Sequence, residues 1–273
     1  MQISFTKIVK MAATTSYFST SLEKGLKILS LFNKECRSIT QTEVSKLLGL
    51  NMTSTYRYIN TFVSLGYLEK DSQTKRLRPG IRCMSLCTNL MQSTDTLDLI
   101  KREVDRVYHE HNITIDVGLV NDETMMSVYR RKAEETLTYN LPNVAPNCLH
   151  NTSTGKAYLS TLSDEKLRET IDRITLSPKT EKTITDKKVL WEEIQKTRLR
   201  GYSMCSEEYL PGLITIGAPL VGRNTGRCLG AVSFDFSIIQ NSYEEIECSY
   251  AAMIMEIASE ISGLLPDETD WMS

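Results

Sequence analysis

The sequence predicts an α+β chain of two unlike modules, and three observations carry that prediction. Thr40–Arg78 reads as two short helices that meet at a glycine turn and run straight into a small basic hairpin. Further on, Ile113, Ile115, Val117 and Leu119 alternate as in a half-buried strand, while Leu213–Val221 and Cys228–Phe236 flank a glycine turn at Gly222–Gly226. Helical patterns lie before, between and after these strands, which predicts one antiparallel sheet partly covered by helices.

At 273 residues, with 41% hydrophobic and 24% charged, the chain is long enough for two cores. Its net charge of −2 conceals an asymmetry: Met1 to Met91 holds 13 Lys/Arg against 5 Asp/Glu, and the remainder 19 against 29. A basic N-terminal third joined to an acidic remainder fits one module that meets phosphates and another with a different task. No apolar run approaches the roughly 18 residues of a membrane span. The seven scattered cysteines read as reduced thiols of a cytoplasmic protein, most of them core filler. Met1–Thr20 lacks the continuous apolar core of a signal peptide and reads as a disordered arm or a mis-assigned start.

In chain order, Thr20 and Glu23 form a capping box for a helix over Ser21–Asn33, whose stripe Leu22, Leu26, Leu29 and Phe32 is expected to pack beneath the next two. Thr40 caps the second helix with Glu43 reaching back, and Val44, Leu47 and Leu48 supply its apolar face. Gly49 ends it, since a left-handed residue there needs no Cβ. Asn51 caps the third, in which Tyr56, Ile59 and Val63 follow helical spacing and Thr53, Ser54, Arg57 and Thr61 lie opposite. Gly66 stops that helix. Tyr67–Lys70 and Lys75–Arg78 are expected strands around an Asp71–Thr74 turn, and Pro79 and Gly80 mark the exit. Ile81–Met91 reads as a connecting helix with Met84, Cys87, Leu90 and Met91 on one side, suited to plain packing or to a dimer seam.

This first module is a winged helix-turn-helix, and its polar side suits double-stranded DNA. Short hydroxyls at a helix N-terminus fit phosphates, and Arg57 can reach a phosphate or the acceptor edge of guanine. Lys70, Lys75, Arg76 and Arg78 place positive charge on the wing.

The second module continues with a helix over Leu97–Glu110, the strand through Leu119, a turn at Asn121–Glu123 and a returning strand Met125–Tyr129. A further strand is expected at Leu137–Leu141, then a looped stretch with Pro142 and Pro146. Helices follow over Thr152–Leu162, Ser163–Ile171 and Asp186–Arg200, then Tyr202–Cys205, the two long strands, and a closing helix Tyr243–Leu264.

Five segments, "SLEKGLKILSLF", "TQTEVSKLLGLNMTSTYRYINTFVSLGYLEKD", "HNTSTGKAYL", "RGYSMCSEEYLPGLITIGAPL" and "GAVSFDFS", together resemble the IclR family of bacterial transcription regulators in order and spacing. The resemblance implies a winged helix-turn-helix (21–80), a linker helix (81–96) and a GAF-like α+β effector-binding domain (97–266), which leaves the disordered arm (1–20) before them and a tail (267–273) after them. It implies a homodimer or dimer of dimers on operator DNA, a small organic acid, aromatic or amine-bearing effector, no cofactor and no catalytic activity. Its recognition helix corresponds to Asn51, Met52, Thr53, Ser54, Thr55, Tyr56 and Arg57, with Met52 where a lysine is frequent; Thr40, Thr42, Arg76 and Arg78 join the DNA-facing candidates beside it. Its effector positions correspond to Ser153, Thr154, Cys205, Thr215, Ser233 and Asp235. Small-oxo-acid members tend to carry an aspartate, a cysteine and two serines at the last four.

Read without the resemblance, Ser233 and Asp235 share one face of a strand, and Thr215 on the neighbouring strand extends a polar patch on an apolar sheet. A carboxylate at Asp235 repels a carboxylate ligand unless Arg130, Arg131 or Lys156 offsets it, so either the ligand offers donors or Asp235 points away and pairs with an arginine, as an ordinary salt-bridged strand aspartate does. Two alternatives stand beside this reading. A cysteine enzyme would pair Cys205 or Cys148 with His109, His111 or His150, but no nucleophile elbow or complete phosphate loop supports it. A ligand-free assembly domain would fill the patch with apolar side chains.

Overall fold

The computed structural model describes residues 18–33, 36–92, 95–121, 124–134, 144–145 and 148–265, and the chain falls into two compact units, Met1–Thr94 and Asp95–Ser273. Most of the expected N-terminal arm, the tail, the Leu137–Leu141 strand and the loop with Pro142 and Pro146 lie outside the described residues.

The first unit holds α1 (Thr20–Leu29), α2 (Gln41–Leu48), α3 (Met52–Ser64), β1 (Leu68–Lys70), β2 (Leu77–Pro79) and α4 (Ile81–Gln92). Its core is Ile28, Ile39, Val44, Ile59, Leu68 and Leu77. The α2 capping box forms, with Thr40 N–H donating to Glu43 at 2.7 Å, and Gly49 takes φ +62° to end the helix. Asn51 Oδ1 caps α3 by accepting Ser54 N–H at 2.7 Å. β1 and β2 pair antiparallel from Leu68↔Pro79 to Lys70↔Leu77, closed by a turn in which Asp71 accepts the N–H groups of Gln73 and Thr74.

Several expectations for this unit are corrected. Ser19, not Thr20, caps α1, and Glu23 holds Lys27 instead of closing a box. The buried side of α1 is Gly25 and Ile28, because the bare Gly25 admits Phe62, whose ring would lie 3.2 Å from a Cβ there. That rotation leaves Leu22 and Leu26 exposed. Leu47 of α2 is exposed as well. In α3, Thr55 lies wholly inside while Tyr56 is 51% exposed, the reverse of the predicted faces.

The second unit contains α5 (Asp95–His111), β3 (Thr114–Asn121), β4 (Thr124–Arg131), β5 (Val144–Ala145), α6 (Ser153–Ser160), α7 (Asp164–Arg173), α8 (Lys187–Arg200), β6 (Ser203–Ser206), β7 (Leu213–Val221), β8 (Cys228–Ser237) and α9 (Tyr243–Ser262). Six strands form one antiparallel sheet in the order β5-β4-β3-β8-β7-β6. The alternation of each strand divides its side chains between two unlike faces. Ile115, Val117, Ile214, Ile216, Val232 and Phe234 join α5 and α9 in the main core.

The other face is polar. Asp235 sits in register between Thr114 and Thr215, and Ser233 between Asp116 and Gly217. α6 lies on this face. Ser203 Oγ donates to Ser153 O at 2.6 Å, and a Cβ on Gly217 would lie 3.1 Å from Ser153. Behind α6 a separate cluster of Leu149, Leu159, Leu167, Leu190 and Ile194 ties in α7 and α8. Gly155, within the "TGKAY" stretch, is needed for this packing, since a Cβ there would lie 2.4 Å from Leu149 Cα. No helix among the described residues is long and apolar enough to cross a membrane.

Candidate functional site

In the first unit, α3 presents Met52, Thr53, Tyr56 and Arg57 to solvent, with Asn51 at its N-cap and Ser54 half-buried. Thr42 of α2 is exposed too, and Thr40 is half-buried in its capping box. Thr55 is not part of this surface: its hydroxyl donates to Asn51 O at 2.9 Å and its side chain is buried. On the wing, Arg76 is tied back to the body by Nε–H to Ser38 Oγ at 2.8 Å and by Nη2 to Ser38 O at 2.6 Å. Arg78 pairs across the ladder with Glu69 at 2.8 Å and keeps 71% of its side chain in solvent. The pairing orients both guanidiniums without neutralising the wing, because Lys70 and Lys75 stand exposed beside them.

In the second unit, the six positions Ser153, Thr154, Cys205, Thr215, Ser233 and Asp235 line one cavity between the polar sheet face and the first turn of α6. The free space is about 60 Å³, on the order of four water molecules. Thr152 caps α6, its Oγ1 accepting Gly155 N–H at 3.1 Å, so the positive end of the helix faces the cavity. Ser233 Oγ donates to Asp235 Oδ1 at 3.4 Å.

Asp116, Ser127, Arg130, Cys148, Glu208 and Tyr209 also line the space and were not singled out from sequence as ligand contacts. Arg130 pairs with Asp116, its register partner across β3 and β4, and Ser127 Oγ donates to the same carboxylate. Lys156, 1% exposed, donates to Glu208 Oε1 at 2.5 Å. Burial pushes the Glu208 carboxyl above its ordinary range, with Lys156 acting against the rise. An acidic residue inside an apolar strand, as in "ITIDVGLV", was the legible signal for Asp116.

The cysteine chemistry weighed from sequence finds no support here. Burial raises the thiols of Cys148 and Cys205, which keeps both protonated. His150 Nε2–H donates to Ser177 O at 3.1 Å, and burial lowers its pKa. Among the described residues no group of three His, Cys, Asp or Glu is placed to hold a metal ion.

Residues 21–72 match the IclR helix-turn-helix domain, and residues 88–263 match the family described as "Bacterial transcriptional regulator IclR C-terminal". The HTH-type transcriptional regulator KdgR of Escherichia coli is 25% identical over 247 residues, covering 89% of this chain and 92% of that protein. An IclR transcriptional regulator from Alicyclobacillus acidocaldarius superposes with a TM-score of 0.80 at 19% identity, over 91% of this chain and 99% of that one. An IclR homolog from Microbacterium hydrocarbonoxydans, solved in complex with 4-hydroxybenzoate, gives 0.72 at 19%, over 90% and 99%. With a helix-turn-helix unit, a sheet-and-α6 cavity and family matches over most of its length, the chain belongs to the IclR family of DNA-binding transcriptional regulators.

Proposed function

We propose that this regulator reads its operator through the exposed side of α3 and answers to a small metabolite held in the cavity beneath α6. Met52, Thr53, Tyr56 and Arg57 enter the major groove, with Asn51 and Ser54 at the helix N-terminus and Thr40 and Thr42 near the backbone. Arg76 and Arg78, oriented by Ser38 and Glu69, lie against phosphates. Two copies pair to span successive half-sites. The observation behind the pairing is the exposed apolar surface of the first unit: Leu22 and Leu26 on α1, Ile81 and Met84 on α4, all more than half exposed.

The effector reading rests chiefly on one observation, the convergence of six polar positions from four elements on a single small cavity. An assembly domain would fill that space with apolar side chains. A ligand changes operator affinity only by as much as it prefers one arrangement of the protein over another.

The test is a fluorescence-anisotropy titration of the purified chain on its own upstream region, at two salt concentrations, with a panel of organic acids, phenols and amines. Saturable binding that outcompetes random DNA and shifts with one panel member is the expected result. Weak binding with no sequence preference, unmoved by every compound, would remove the reading. Sedimentation velocity of the same sample checks the dimer.

A further inference from the structure

The helix α4 gathers sulfur on its exposed side. Its sequence reads "IRCMSLCTNLMQ", with Cys83, Met84 and Cys87 within little more than one turn. Free cysteines are among the most buried residue types. Cys148, Cys205 and Cys228 follow that rule, whereas Cys87 is exposed and Cys83 only half-buried. Met84 beside them keeps 66% of its surface in solvent. Core filling does not explain soft side chains placed in this way.

Helix geometry brings the sulfur atoms together. Cys83 and Cys87 stand four residues apart and Met84 and Cys87 three, the two spacings at which helical side chains meet, with Cβ atoms about 5–6 Å from each other. Around the helix axis Cys87 falls between the other two, at about 100° per residue. Side chains lean toward the helix N-terminus, so Cys87 reaches back over the turn that holds Cys83 and Met84. Burial, and then the neighbouring Cys87, raise the Cys83 thiol, so the two groups lie within electrostatic reach. Cys83 Sγ–H donates to Tyr67 O at 3.1 Å, a weak bond that a metal can replace.

The spacing selects what the pair can do. A disulfide needs Cβ atoms about 3.5–4.5 Å apart, closer than this helix holds them. A metal ion between two sulfurs spans the longer gap. The kind of metal follows from the donors: α4 contains no Asp, Glu or His, and among the described residues no group of three His, Cys, Asp or Glu is placed to hold an ion. Hard cations lack their oxygen ligands there, and tetrahedral zinc lacks its full set. Thiolate and thioether donors in small number favour monovalent copper. Arg82 is the one charged residue of α4, and a cation next to Cys83 favours the thiolate form.

We propose that Cys83 and Cys87, with the Met84 thioether beside them, bind one monovalent copper ion per chain on the exposed side of α4. Each thiol gives its proton to solvent as its sulfur takes the metal. Copper stays monovalent throughout, so no oxidant or reductant enters. Two thiolates on one helix act as a chelate, worth about a hundredfold or more over either alone.

The test is an anaerobic titration of the reduced full chain against monovalent copper held by bathocuproine disulfonate, with the copper withdrawn read from the loss of the chelator's colour. The chain is expected to withdraw one equivalent. Cys83→Ser and Cys87→Ser are each expected to weaken that binding by about a hundredfold, and Met84→Leu, which keeps the apolar surface, by less. Cys248→Ser, at an exposed cysteine of α9, should leave it unchanged. Circular dichroism establishes that each variant is folded, and Cys87→Ser, on the exposed side of the helix, carries the test if Cys83→Ser is not. No withdrawal of copper overturns the proposal, as does a Cys87→Ser chain that binds as tightly as the unaltered one. Equal weakening by Cys248→Ser also overturns it, since copper is then spread over surface thiols.

Discussion

Replacing Lys156 with methionine tests the polar layer directly. Lys156 is among the largest wholly buried side chains, and its ammonium lies 2.5 Å from Glu208. Methionine keeps most of the volume and removes the charge, so the loss is that of a buried carboxylate left without its counter-ion, about 3–5 kcal/mol. Proton uptake by Glu208 limits it. That carboxyl is already pushed above its ordinary value by burial, and without Lys156 it rises further. The native state then binds a proton that the unfolded chain, with a carboxyl pKa of about 4.3, has released. The penalty therefore grows as pH climbs from the unfolded value through the raised native one. We expect a loss of about 3 kcal/mol at pH 7, shrinking toward pH 5, read by urea unfolding with Trp191 fluorescence in a Trp271→Phe background. Lys156→Met with Glu208→Gln should recover most of it, because neither charge remains. A single-variant loss below about 1 kcal/mol at pH 7, or one flat from pH 5 to 8, would refute the reasoning.

Three further outcomes follow from the geometry. Tyr56→Ala and Arg57→Ala should each weaken operator binding at least several-fold in gel-shift titration with little change in melting temperature, whereas Thr55→Ala, which removes a buried bond to Asn51 O, should cost about 1 kcal/mol of stability. Gly155→Ala should destabilise the second unit by about 1–3 kcal/mol in urea despite alanine's better helix propensity, since its Cβ meets Leu149 backbone. The neutral, buried His150 has a native pKa below the unfolded value of about 6.5. Stability should therefore be full above that pH and decline as pH falls through it, and a His150→Gln variant should show a flatter melting-temperature profile between pH 7.5 and 5.5.

Much of the fold was legible because its signals are local. The Thr40 capping box, the left-handed Gly49, the Asn51 cap and the strand Leu213–Val221 depend on residues a few positions apart, and all stand where their chemistry places them. Helix rotation was less legible. A helix advances about 100° per residue, so taking Tyr56 for Thr55 turns the reading surface by that amount, and only the packing of α1, through Gly25 and Phe62, selects the rotation. The two ion pairs around the cavity lay beyond local reading. Arg130–Asp116 arises from strand register, and Lys156–Glu208 joins groups 52 residues apart. Charge alone could not say that Asp116 would meet Arg130 or that Glu208 would meet Lys156.

The division of the sheet into two faces explains why a cavity persists in a close-packed unit. The α5–α9 side is joined by non-directional apolar burial, which closes gaps wherever side chains can move. The α6 side is joined by Ser203–Ser153, Lys156–Glu208, Arg130–Asp116 and the contact at Gly217, interactions with fixed directions that cannot slide to fill space. Fixed donors and acceptors hold the cavity open and define what can enter it. Under the proposed effector reading, a ligand acts by favouring one placement of α6 over the sheet, and each tenfold of that preference supplies about 1.4 kcal/mol for switching.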